Sequence, residues 1–199
     1  DASIDKGVLR ATRTRTLGAI PLTSAPARAL SEEEATALVA DHLAARGLGE
    51  LGWGKEASSL RERMRALHEA LGAPWPDVSD QALAGSARQW LAPWGRRLAS
   101  GAPLSKVSML DALRSMLPWP AATRLDELAP EKLPIPSGGT RPIDWSGPHP
   151  VLTLRVQQAF GWTDTPRLVD GRVPLVLHLT DPAGRPAAVT SDLTSFWVG

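Results

Sequence analysis

The chain has 199 residues, 43% hydrophobic and 22% charged, which suffices for one or two compact cores because a domain of about 150 residues already buries about 70% of its extendable surface. A formal net charge of +1 excludes a general pull on phosphates or anionic lipid, so a nucleic-acid surface has to be a local patch. The absence of cysteine excludes disulfides, thiolate metal sites and a cysteine nucleophile, and no apolar run reaches the roughly 18 to 20 residues that cross a bilayer.

Residues 7–22 run through alternating Thr and Arg with Val and Leu, which suits an extended strand whose partner is expected upstream of the chain. Ser31-Glu32-Glu33-Glu34 then spells a capping box, and Ala35, Leu38, Val39 and Leu43 form one apolar stripe that Gly47 closes. Further stripes at Leu60, Met64, Leu67 and Leu71, and at Leu83, Ala87, Trp90, Leu91 and Trp94, predict two more helices, ended near Gly72 and Pro93, with Ser79 as the N-cap of the second. A fourth helix is expected around Val107, Leu110, Leu113 and Leu117, and a short fifth around Leu125 and Leu128. After Leu133 short strands take over, with a hairpin turning at Ser137-Gly138-Gly139 toward Arg141–Trp145. Residues 151–160 begin with strand alternation but end in a helical vocabulary, and a helix is the preferred reading. Residues 172–180 predict a strand with Pro174 at its start or on an edge; Asp181-Pro182-Ala183-Gly184 turns it back to Val189. Ser191 is expected to cap a last helical turn whose Phe196 and Trp197 read as core. The fold class is therefore α+β, with a strand-containing arm over 1–30 that belongs to an upstream domain, a helical bundle over 31–132 and a strand-rich α/β domain with hairpins over 133–199.

The chemistry of an active site is missing from these residues. Gly49–Glu56 (GELGWGKE) approaches a phosphate-binding loop, but Glu56 stands where a magnesium-holding Ser or Thr belongs, and a helix rather than a strand precedes it. A helix–helix connection plugged by Leu51 and Trp53 is the plainer reading. His42, His68, His149 and His178 are scattered without the i, i+4 spacing of a helical zinc pair, and His178 reads as a hydrogen-bonded structural residue. Asp126 and Glu127 are helix neighbours that point to different sides, so shared acid–base work is not expected of them.

The succession LDELAPEKL (125–133), PSG (136–138), IDW (143–145), LRVQQAFG (154–161) and TPRLVDGRVPLVLHLTDPAGRPAAVTSDLTSFW (165–197) resembles the C-terminal part of the HrpB-type DEAH-box helicases, of the DEAH/RHA class. The segment PWPDVSDQALAGSARQWLAPW (74–94) resembles the same family, and TRTLGAIPL (14–22) does so more loosely. The resemblance implies an ATP-dependent RNA helicase whose two RecA-like motor domains lie upstream, hydrolyse ATP with magnesium and are covered by helical and OB-like accessory domains. An OB-like arrangement thereby becomes an option for residues 133–199. Neither a Walker loop nor a DEAH box occurs here, so no cofactor and no catalytic residue is expected in this chain, which reads as part of a longer, soluble and cytoplasmic protein.

Two roles follow for such an accessory region. Contact with RNA or another single-stranded nucleic acid is motivated by Arg10, Arg13 and Arg15 near the start and by Arg141, Arg155, Arg167, Arg172 and Arg185 in the last third, because a guanidinium fork donates bidentately to phosphate. The opposing reading is solvated surface arginine or ion pairing with Asp144, Asp170 and Asp181, since Arg supplies 18 of the 22 basic residues and a single one is weak evidence. No aromatic motif for base stacking stands out. The second role is docking on the motor domains or on a partner that regulates them, motivated by eight Trp; Trp119 and Trp145, flanked by Pro or turn residues, are the candidates for exposure.

Overall fold

The computed structural model describes residues 2–17, 20–26 and 29–198, and side chains for 3–11 and 29–198. The chain is α+β and divides into two compact units: residues 1–58 with 77–116, and residues 59–76 with 117–199.

In the first unit, β1 (Ala2–Asp5), β2 (Val8–Leu17) and β3 (Ile20–Pro26) form an antiparallel meander in chain order. The strand expected to pair outside the chain thus pairs within it on both edges, Ile4 facing Leu9 and Thr14 facing Ser24. Helix α1 (Glu32–Arg46) has the predicted capping box: Glu34 N–H donates to Ser31 Oγ at 3.1 Å, and Ser31 N–H donates to Glu34 Oε2 at 2.8 Å. Gly47, at φ 82°, ends it by donating its N–H to Leu43 O. Its buried face (Ala35, Thr36, Val39, Ala40, Leu43) packs on α3 (Asp80–Gly85), α4 (Ala87–Trp90) and α5 (Gly95–Ala99).

The single helix expected over the Leu83–Trp94 stripe is instead two short ones, α3 and α4, followed by a 3-10 turn at Ala92–Trp94 that leads into α5. Two causes are visible. The Ser86 hydroxyl donates back to Ala82 O at 2.8 Å, and the Trp90 indole takes Leu83 O at 2.8 Å, so side chains compete for the helical carbonyls. Pro93 then removes a backbone donor. Helix α6 (Met109–Ser115) is capped by Ser108, whose hydroxyl accepts from Asp111 N–H.

Helix α2 (Lys55–Leu71) starts in the first unit and continues in the second, where Leu67 joins the core. A 3-10 turn at Ala121–Arg124 leads into α7 (Leu125–Leu128). There follow β4 (Lys132–Pro134), β5 (Thr140–Asp144), β6 (Val151–Arg155), the short ribbon β7 (Arg167–Leu168) and β8 (Val173–Pro174), then β9 (Val176–Thr180), β10 (Pro186–Thr190) and α8 (Leu193–Val198). The five-stranded sheet has the order β10-β9-β6-β5-β4, antiparallel except for the parallel pair β6–β9. One face is core: Ile143 opposes Leu152, which opposes Leu177, and Leu154 opposes Leu179.

Residues 151–155 are thus a strand, not the helix preferred from sequence; only Val156–Ala159 coils, as a 3-10 turn. The inward alternation of Leu152 and Leu154 prevails because Ile143 and Leu177 flank Leu152 and Leu179 lies beside Leu154. An OB-like arrangement would be a Greek-key barrel; here the strands follow chain order, and among the described residues β10 and β4 are edges. The last helix is capped by Asp192 rather than Ser191: its carboxylate accepts from Ser195 N–H at 3.0 Å and from the Ser195 hydroxyl at 2.6 Å.

Candidate nucleic-acid interface

Sheet register sorts the candidate arginines of the second unit into two groups. Arg155 faces Thr180 across the parallel pair, and Pro186 faces the same Thr180 from β10, so Arg155 and Arg185 leave the sheet at one end. Arg141 starts from that end too, because β5 runs antiparallel to β6. It lies opposite Leu133 and is half-buried. Arg155 is exposed and in no ion pair among the described residues. Arg185 is held by the β9–β10 turn, where its Nε donates to Asp181 Oδ2 at 2.7 Å; the Arg185 amide is also the main reason the Asp181 carboxyl sits below the usual aspartate range. With 81% of the Arg185 side chain exposed, this is a solvent-screened surface pair that contributes little to stability, which leaves the guanidinium open to a phosphate.

The same end of the sheet carries exposed aromatic rings. Gly161, at φ +108°, lies so close to Pro136 of the β4–β5 turn that a Cβ would come within 3.1 Å of the Pro136 ring. This places the preceding Phe160, 57% exposed, beside that turn. The Phe160 ring centroid is 5.6 Å from that of Trp197, itself 5.0 Å from Phe196 in an edge-on pair. Trp197 does not fill the core as expected: it is 37% exposed, and its indole donates to Trp162 O at 3.0 Å. Helix α8 is fastened by the Leu193 N–H on Thr165 Oγ1 (2.9 Å) and by the Thr194 hydroxyl on Asp164 Oδ1 (2.9 Å), so the helix that carries Trp197 has a fixed seat. Sequence reasoning missed them because neither follows a strand or helix period. An aromatic directly before a glycine, and another in a terminal turn, were the available signals.

Arg167 and Arg172 lie elsewhere. They flank the β7–β8 ribbon that leads into the start of β9, the opposite end of the sheet. Arg167 Nε donates to Gly171 O at 2.6 Å, which closes the ribbon's turn, whereas Arg172 is exposed and in no ion pair among the described residues. In the first unit Arg10 is exposed on β2 opposite Ser3; the side chains of Arg13 and Arg15 lie outside the described residues. Of the acids expected to neutralise arginines, Asp181 does so, Asp170 pairs with Arg124 at 2.7 Å, and Asp144 instead accepts from the Ser146 hydroxyl and amide, which hold its carboxyl low.

The two tryptophans proposed as surface anchors part company. Trp119 is 69% exposed between two prolines. Trp145 is a core residue, 3% exposed, with its indole donating to Pro130 O at 2.9 Å, because it continues the inward period set by Ile143. Asp126 and Glu127 turn to different partners, Arg63 and Arg124.

The Gly49–Glu56 segment does not fit a nucleotide phosphate. Gly52 N–H is spent on Val107 O at 3.0 Å, and a Cβ there would come within 2.6 Å of that oxygen. Leu51 is buried, and the Trp53 indole donates to Leu48 O. Lys55 opens α2 with Glu56 beside it, so the loop is a stapled connection and not an open cradle of amides.

A family model described as ATP-dependent helicase C-terminal matches residues 90–199. The chain therefore belongs to this ATP-dependent helicase C-terminal family. Over 98% of its length it is 34% identical to a curated relative, the ATP-dependent RNA helicase HrpB of Escherichia coli K12. Crystal structures of the E. coli DExH-box NTPase HrpB and of the E. coli DEAH/RHA helicase HrpB each match the whole chain with a TM-score of 0.75 and 32% identity, over 25% and 26% of those chains. The chain thus spans about a quarter of the length of these relatives.

Proposed function

We propose that this region serves an RNA helicase by holding single-stranded RNA at the Arg155 end of its five-stranded sheet, while ATP and magnesium are handled by RecA-like motor domains elsewhere in the whole protein. The supporting observation is the shared end of the sheet at which an arginine in no ion pair among the described residues lies with exposed rings, of which the Trp197 indole is held by a hydrogen bond: Arg155 with Arg185 and Arg141 on one side, Phe160 and Trp197 on the other. Single strands are held in this way without sequence preference, by guanidinium on phosphate and by bases stacked on aromatic faces worth about 1–3 kcal/mol each.

Fluorescence anisotropy with a labelled single-stranded RNA, read from low to moderate salt, tests the proposal. Arg155→Glu is expected to weaken binding and to lower the salt slope by about 0.7 for each phosphate that is no longer neutralised. Phe160→Ala or Trp197→Ala is expected to weaken it by roughly 5- to 150-fold with little change in slope. Unchanged affinity and slope in all three variants would refute the contact. A second reading, a docking surface that regulates the motor without touching RNA, has one observation in its favour, the exposed Trp119. Under it Trp119→Ala would uncouple this region from the motor while RNA binding stayed intact.

A further inference from the structure

At the opposite end of the sheet a cleft of about 270 Å³ opens between α2, the 145–150 loop and the strand β8. Its walls are built in advance. Arg65 donates to Trp145 O at 2.8 Å and to Gly147 O at 2.6 Å, which ties the loop to α2, and Val176 N–H donates to Pro150 O at 2.9 Å, which ties its other end to β9. Pro148, Pro150 and Pro174 line it with stiff, flat, apolar faces. Ala66 and Ala70, one turn apart on α2, leave the floor open where any larger residue would fill it.

The rim charge that has no ion-pair partner among the described residues is positive. Glu69 is the acid there, and both its oxygens accept from Arg65 Nη1 at 3.0 Å. Arg172 and His149, by contrast, are exposed and in no ion pair among the described residues. An apolar slot with flat walls and an unsatisfied guanidinium at its mouth suits a planar ring system that carries an anion. The volume lies just under the roughly 300–1,000 Å³ of drug-sized pockets, so it admits one small unit and not a polymer segment.

We propose that this cleft binds one nucleoside monophosphate unit, the base against the proline faces and the His149 ring and the phosphate on the Arg172 fork. The unit comes from a free nucleotide or from the phosphorylated end of an RNA strand, since both present the same chemistry. The site is separate from the Arg155 end, and its presence does not depend on RNA being held there.

Isothermal titration of the chain with AMP and UMP tests this, with adenosine, inorganic phosphate and a short carboxylate-ended peptide as comparison probes. Saturable mononucleotide binding is expected, at least 10-fold tighter than adenosine or phosphate alone, and at least 10-fold weaker in Arg172→Glu and in Ala70→Leu, which fills the floor without touching charge. Should Ala70→Leu not fold, Arg172→Glu still decides, because Arg172 is exposed and in no ion pair among the described residues. Arg155→Glu should leave mononucleotide binding unchanged even where it abolishes strand binding. A 5′-phosphorylated oligonucleotide that outcompetes its 5′-hydroxyl form identifies a strand end, and equal competition identifies the free nucleotide; either result supports the site. Absence of saturable mononucleotide binding, tighter binding of the peptide, or binding insensitive to Arg172→Glu would overturn it.

Discussion

Replacing Arg63 by Met separates two ways in which a buried arginine can hold a fold. Arg63 is 3% exposed, and its fork reaches three acceptors in the second unit: Nε donates to Ala129 O, Nη2 to Asp126, and Nη1 to Glu131 at 3.3 Å. The carboxylates are open to water, Asp126 with 89% and Glu131 with 62% of the side chain exposed. Each ion pair therefore contributes about 0–1 kcal/mol, and neither acid becomes a stranded buried charge when Arg63 is replaced. Ala129 is different: it is fully buried, and a buried carbonyl deprived of its donor costs about 1–3 kcal/mol. Met keeps most of the apolar stem, so Arg63→Met is expected to destabilise the second unit by about 2–4 kcal/mol, with Asp126→Ala and Glu131→Ala below about 1 kcal/mol each. Because the chain has two units, a single unfolding transition cannot be assumed, and native-state amide exchange in α7 and in residues 59–71 is the appropriate assay. If Asp126→Ala costs as much as Arg63→Met, the ion pair carries the joint and the carbonyl argument is wrong.

Three further outcomes follow from the same geometry. Gly52→Ala should destabilise the first unit by about 1–3 kcal/mol, seen as faster exchange at Gly52 and Met109, since the new Cβ would meet Val107 O and Ser105 O at 2.6 and 2.7 Å; Gly49→Ala, with nothing within 4 Å, should be nearly silent. Asp192 is held below the ordinary aspartate range by the hydroxyl and amide of Ser195, so its cap is fully present above the unfolded value near about pH 4 and is lost as pH falls through the lowered folded value. Amide exchange in α8 should accelerate over that acid window in the native protein and at every pH in Asp192→Ala. Glu62 is pushed up by burial first and by the Asp144 charge second; Asp144→Asn should lower its midpoint in a carboxyl NMR titration, and an unmoved midpoint would leave burial as the sole cause.

Local signals were legible where a residue and its hydrogen-bond partner lie within a few positions. The Ser31 box, the Ser79 cap and the Gly47 stop all work as such rules require. Sequence reading failed where a distant strand decides. Residues 151–155 carry both vocabularies, and only pairing with β9, some 25 positions away in register, selects the strand. Trp145 looked exposed between Asp144 and Ser146, yet its two-residue spacing from Ile143 already placed it inside. Arginine was readable as a residue type, but not its grouping: the parallel junction sends Arg155 and Arg185 to one end of the sheet and Arg172 to the other, and no local pattern reports that. The exposure of Phe160 and Trp197 was equally hidden, since it depends on Gly161 packing on Pro136 and on one indole hydrogen bond.

Photo-crosslinking of a single-stranded RNA to the chain, with the adducts mapped by mass spectrometry, tests the nucleic-acid contact most directly. Adducts concentrated on Phe160 and Trp197, and diminished by Arg155→Glu, are the predicted result. Adducts confined to Trp119, or none at these two rings under conditions where RNA is bound, would contradict it.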